Sequence, residues 1–283
     1  MKNNVLLTVA LLFFFSLQAQ EDNPPIHVQV SGHGTPVLLI PGFTVPGESW
    51  DSLVGQLEKN HECHIVTLAG FGGKEPIAFP WLPKVNQALE HYIGQQDLQG
   101  LTIIGHSLGG TIATWLASRA NSKLSQIILV DALPAAGAIM IPNFNPDHLA
   151  YESPFNNRQL AMNEADFEQL ANTMAKGMSL NVAAQKQIKD WIVKADRKTY
   201  VYGYTDYLKL DLREDLKNIT IPVTILAADQ PFGKEMVMKT YGDQYANLSG
   251  YDLIIAENSA HFIMFDRPEW FVAQIEAVLS AKQ

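Results

Sequence analysis

An α/β fold, with a mostly parallel sheet flanked by helices and a helical cap insertion, is what this 283-residue sequence predicts. Three observations carry that reading. Short, unbroken apolar runs alternate with segments of helical spacing, the pattern of strands buried on both faces by crossover helices. Segment 133–209 interrupts the alternation with a stretch that holds no clear strand. The strand pattern then resumes at 221–227 and continues towards the C-terminus.

The elements follow in order. Residues 26–31 and 37–40 are β-rich, and Gly32-His33-Gly34-Thr35-Pro36 between them reads as the turn of a hairpin. Trp50, Leu53, Val54 and Leu57 recur at helical spacing within 49–58. A strand at 63–68 ends in Ala69-Gly70-Phe71-Gly72-Gly73, and a helix is expected at 85–93. Strand 101–104, helix 109–120 and strand 126–130 complete the first half. Beyond the interruption come strand 221–227, helical material, strand 253–256 and a last helix over 268–281. A structureless loop as long as 133–209 is foreign to a compact domain, so the segment reads as a cap or lid with helices of its own. The core is then 21–132 together with 210–283.

Residues 1–20 stand apart from this fold. Lys2 supplies a short basic start, 5–17 is apolar but for Thr8 and Ser16, and Gln18-Ala19-Gln20 leads into polar chain. That is the layout of a secretory signal peptide, with the cut beside Ala19 and a periplasmic or extracellular destination. The apolar run falls short of the roughly 20 residues that a bilayer helix needs. The composition excludes other classes. A net charge of −9 disfavours a nucleic-acid partner, which requires clustered Lys and Arg. The single cysteine, Cys63, allows neither a disulfide framework nor an all-cysteine zinc site, and is expected reduced and buried in a strand.

Chemistry concentrates at Gly105-His106-Ser107-Leu108-Gly109-Gly110, between an apolar strand and a helix. A serine flanked by glycines in that context suits a sharp strand-to-helix turn, which exposes the nucleophile above a helix N-terminus. A serine hydroxyl needs a general base. In the nucleophile-elbow layout the base comes last in the chain, which leaves His148 and His261 of the eight histidines. His148 lies in the Pro- and Asn-rich start of the insertion. His261 follows strand 253–256 by a short loop, at the carboxyl end of the sheet where open α/β folds place their sites. A carboxylate must then orient the imidazole. Two stand at strand ends: Asp229 after 221–227 and Asp131 after 126–130. Asp229 is preferred because it keeps acid and base on successive strands, with Asp131 in reserve.

The sequence resembles the α/β-hydrolase fold superfamily over nearly all of the chain beyond residue 20. The matching segments are Gly34 to Phe43, Ala69-Gly70-Phe71-Gly72, Gly105 to Gly110, Ile221-Pro222-Val223 through Asp229, and Ala260-His261-Phe262 with Arg267-Pro268-Glu269. The resemblance implies an oxyanion hole from the N–H groups of Phe43 and Leu108. It departs at Pro41-Gly42, where the family often has His-Gly, and at Leu68-Ala69, where an acidic residue usually ends the strand.

The expected activity is serine hydrolysis of carboxylic esters of small or medium acyl groups through an acyl-enzyme, with a small-molecule acyl substrate and no cofactor or metal. Cleavage of amide, thioester or carbon–carbon bonds and acyl transfer are the alternatives on the same fold. A non-catalytic small-molecule-binding protein is the alternative of another class. The cluster His61-Glu62-Cys63-His64 is not read as a metal site, because alternate side chains of a strand point to opposite faces. Tyr200, Tyr202, Tyr204 and Tyr207, with Met140, Met162, Met174 and Met178, are read as ordinary packing of the insertion in preference to pocket walls.

Overall fold

The computed structural model describes residues 23–119 and 123–281. The expected export signal at 1–20 lies outside them. Among the described residues, seven strands form one sheet: β1 (Ile26–Gly32), β2 (Thr35–Ile40), β3 (His61–Leu68), β4 (Leu101–His106), β5 (Leu124–Val130), β6 (Val223–Ala228) and β7 (Asp252–Ala256). Their order is β1-β3-β2-β4-β5-β6-β7. Strands β1 and β3 pair antiparallel and all other neighbours pair parallel. Every residue of β4 and β6 is buried, which is why both read as unbroken apolar runs.

The expected hairpin does not form. β3 lies between β1 and β2, with Ile26 opposite Leu68 and Val37 beside Cys63. Gly32 and Gly34 carry φ of +80° and +119°, so the chain does reverse there. The reversal wraps tightly around the turn into β3: a Cβ on Gly34 would lie 2.2 Å from the Asn60 carbonyl oxygen. Cys63 is buried in β3 as a free thiol.

The core helices of the first half are α1 (Asp51–Leu57), α2 (Trp81–Gln95) and α3 (Leu108–Ser118). Between β5 and β6 come α4 (Ala136–Met140), α5 (Pro154–Leu160), α6 (Glu164–Met178) and α7 (Val182–Lys194). A π-helical turn, Thr199–Gly203, then runs into α8 (Tyr204–Lys209). The polar residues that blur the pattern here are caps. Ser153, Asn163 and Asn181 accept the N–H groups of Asn156, Asp166 and Ala183 at the starts of α5, α6 and α7. After β6 follow α9 (Lys234–Gln244), α10 (Ile263–Asp266) and α11 (Pro268–Ser280). No helix among the described residues is long and apolar enough to cross a membrane.

Sheet and insertion share one apolar core. Phe167, Ala171, Ile188 and Trp191 of the insertion belong to the same buried cluster as Ile40, Ile104 and Leu226 of the sheet. Two carboxylates fasten the layers. Asp206 of α8 accepts the N–H groups of Trp81 and Leu82 at the start of α2, at 2.7 and 3.1 Å. Asp266 takes the Ser179 hydroxyl and the Leu180 N–H on one oxygen and the Ala260 N–H on the other.

Candidate active site

Strand β4 delivers Ser107 at the first step of a helix, with φ 53° and ψ −121°. This is a left-handed conformation that a residue with a side chain adopts only under constraint. The constraint is visible. The Ser107 N–H donates to the Val130 carbonyl at 2.9 Å, and its own carbonyl accepts from Gly110 and Thr111. A Cβ on Gly105 would lie 2.3 Å from the Gly109 carbonyl oxygen, and one on Gly109 would lie 2.1 Å from that of Ile40. Only glycine fits at both places, so the spacing of the motif is a packing requirement of the turn.

The loop after β2 presses on the same residue. A Cβ on Gly42 would lie 3.3 Å from that of Ser107. Phe43 follows, with its ring against Phe71 and Tyr204. Leu108 is the first residue of α3, whose leading N–H groups have no acceptor within the helix. Phe43, Ser107 and His261 line one cavity.

His261 sits in the loop after β7, and three contacts hold it there. The Nε2 of His106 donates to the His261 carbonyl at 3.0 Å. The preceding N–H, of Ala260, is bound by Asp266 at 2.8 Å, and the following one, of Phe262, donates to Met178 in the insertion at 2.9 Å. Burial, reinforced by the neighbouring His261, lowers the pKa of His106 to about 3, so this ring is neutral.

The carboxylate that reaches His261 is Asp131, and this corrects the preference for Asp229. Asp131 Oδ2 lies 2.6 Å from His261 Nδ1, while its Oδ1 accepts the Ala228 N–H at 3.0 Å and the Tyr241 hydroxyl at 3.1 Å. Burial opposes its charge, but the hydrogen bond to His261 and the Ala228 N–H outweigh it and hold the carboxyl below its ordinary value. The reason lies in lateral position. Ser107 ends β4, and strands are spaced by about 4.8 Å. To share a cavity with Ser107, His261 must swing back from β7 across the sheet. The carboxylate beneath it then follows β5, the strand beside β4, whereas Asp229 follows β6, one strand farther away. Asp229 instead accepts the Ser259 N–H at 3.3 Å and braces the loop that carries His261.

The cavity encloses about 640 Å³, within the usual range of small-molecule sites. Its walls include Tyr200, Tyr204 and Tyr207 with Met140, Met174 and Met178, residues read from the sequence as packing. Tyr207 reaches in from α8, where burial raises the pKa of its phenol. Helical spacing marks these side chains as inward-facing but does not say whether a wall or a void faces them. Among the described residues lining the cavity there is no Lys, Arg or Glu.

Comparison with known proteins agrees with this architecture. A pimeloyl-[acyl-carrier protein] methyl ester esterase from Vibrio vulnificus is 23% identical over 267 residues, covering 88% of this chain and 96% of that protein. The corresponding esterase from Vibrio cholerae is 24% identical over 202 residues, 70% of this chain and 76% of its own length. An esterase from Exiguobacterium antarcticum superposes with a TM-score of 0.75 at 20% identity, covering 90% of this chain and 95% of that one. An enol-lactonase from Burkholderia xenovorans gives a TM-score of 0.73 at 15% identity, over 90% and 96% of the two chains. The model of the alpha/beta hydrolase family matches residues 37–274, most of the sequence, and the chain belongs to that family.

Proposed function

We propose that the protein is a serine hydrolase that cleaves carboxylic esters, with Ser107 as nucleophile, His261 as general base and Asp131 as the orienting acid. The observation that carries this is the 2.6 Å contact of Asp131 with His261 Nδ1, in the cavity where Ser107 is held at a strained turn. The esterases among its relatives support the choice of bond.

Asp131 accepts the Nδ1 proton of His261, which leaves Nε2 as the basic nitrogen. Nε2 removes the Ser107 proton as Oγ attacks the acyl carbon. The N–H groups of Phe43 and Leu108 receive the developing oxyanion, and the N-terminus of α3 favours that charge. The alcohol leaves with the proton held by His261. Water, activated by the same nitrogen, then hydrolyses the acyl-enzyme and restores the hydroxyl of Ser107.

A fluorophosphonate should label Ser107 in the folded protein, and hydrolysis of p-nitrophenyl butyrate should fall at least about 10³-fold in Ser107→Ala. Asp131→Asn should cost about 10³–10⁴-fold, through the wrong imidazole tautomer, and Asp229→Asn less than about tenfold. An unlabelled wild type, or equal activity in wild type and Ser107→Ala, would overturn the reading. A greater loss in Asp229→Asn than in Asp131→Asn would reassign the acid.

A further inference from the structure

The cavity that holds Ser107 has an apolar inner wall, to which α6 and α7 contribute Met174, Met178, Ile188 and Ile192. It also has an apolar rim, and that rim stands in water. Ile139 and Met140, at the end of α4, are 54% and 57% exposed, and Phe232, in the turn before α9, and Met236, in its first turn, are 73% and 55% exposed. All four line the same cavity as Ser107. A scattered exposed hydrophobic side chain is ordinary, but several large ones gathered on one opening mark a surface that is covered in use.

What covers it is constrained by continuity and by charge. Two of these residues come from the insertion and two from the core, and each is also part of the wall of the cavity. A single apolar chain that reaches Ser107 would cover all four. Apart from His106, Asp131 and His261, the ionisable groups on the described lining are tyrosines. Burial raises the pKa of Tyr200, Tyr204 and Tyr241, so all three are neutral hydrogen-bonding groups. No lysine, arginine or glutamate among the described lining residues would pair with a charged group on the chain, while apolar side chains offer contact to methylenes.

We propose that Ile139, Met140, Phe232 and Met236 form a chain-binding subsite. The substrate is then an uncharged ester whose long, unbranched apolar chain runs from Ser107 out across Phe232 and Met236. This rests on the ester-hydrolase reading above and narrows it. A short ester occupies the inner cavity and leaves the rim wet, whereas a longer chain dries it. Each buried methylene then strengthens transition-state binding by about fourfold.

The test is a series of p-nitrophenyl esters from acetate to laurate, each kept below its aggregation concentration, with fluorophosphonate labelling of wild-type Ser107 run beside it. The expected result is a kcat/KM that climbs by about fourfold per methylene as far as eight or more carbons. Phe232→Ser, and independently Met236→Ser, should lower the ratio of laurate to butyrate kcat/KM by about tenfold. A series that peaks at acetate, or a ratio unchanged in both variants, would overturn the subsite while labelled Ser107 leaves the hydrolase reading standing. Absence of both labelling and hydrolysis would overturn the two together.

Discussion

His106 shows how much depends on single side chains around the elbow. It precedes Ser107, is fully buried, and uses its ring N–H to hold the backbone of His261. Its pKa in the fold, about 3, lies below the 6.5 of an unfolded chain, chiefly because of burial. The unfolded chain therefore takes up a proton first as the pH falls. Its contribution to stability is complete above about pH 6.5 and declines progressively towards pH 3. Between pH 6.5 and 4.5 the loss from this one residue is on the order of 2–3 kcal/mol. Asp131, whose folded pKa is depressed, loses its contribution only below about pH 4 and leaves this window untouched. Urea unfolding at the two pH values checks the prediction. His106→Gln retains an N–H donor without a titrating ring, so it should flatten the pH dependence; identical slopes in the two proteins would refute the assignment. At this scale the sequence was partly legible. That Ser107 and His261 would stand at one end of the sheet followed from chain order and strand ends, and both line one cavity. The choice of carboxylate did not, because Asp131 and Asp229 both end strands at the same edge, and the lateral swing of a loop decides which one lies under the imidazole.

At the scale of elements, the start of α2 is the clearest case of distant residues completing local structure. A helix leaves four N–H groups without partners at its N-terminus. Here Pro80 and Pro83 have none to offer, and Asp206 accepts those of Trp81 and Leu82 from 124 or more residues away. The same carboxylate takes the Tyr151 hydroxyl. Asp206→Ala would strand two buried donors and should lower unfolding free energy by about 2–3 kcal/mol, with Asp206→Asn losing less because one acceptor oxygen remains. Equal unfolding midpoints for wild type and Asp206→Ala would show that this cap is idle. The periodicity placed α2 at 85–93, too late by a turn, because its first turn owes its stability to α8 and not to neighbours in sequence. The misplaced hairpin has a similar origin. Gly32 and Gly34 signal a reversal, but a reversal serves two adjacent strands and two strands with a third between them equally well.

Across the whole molecule, the insertion does not behave as a separate body. Its Phe167, Ile188 and Trp191 bury themselves in the core that also holds the sheet, and the sheet's own loop at 260–262 is tied to residues 178–181. One core predicts one transition: calorimetry should show a single cooperative endotherm, with calorimetric and van't Hoff enthalpies in agreement. Two resolved endotherms would mean that the layers unfold independently. The presence of the insertion was legible as an interruption of the strand pattern. Its contribution to the cavity was not, since a methionine or tyrosine at helical spacing faces inward whether it meets another side chain or an open pocket.

The attachment through Asp266 bears on how such a protein can be remade. One oxygen of that carboxylate holds the turn between α6 and α7, and the other holds the N–H of the residue immediately before His261. Transplanting a foreign lid onto this scaffold would therefore alter the seat of the imidazole as well as the shape of the pocket. A graft that keeps Ser179 and the chain from 178 to 181 retains the alignment. One that discards them begins from a displaced His261, so new specificity in this scaffold has to be inherited together with the turn that anchors it.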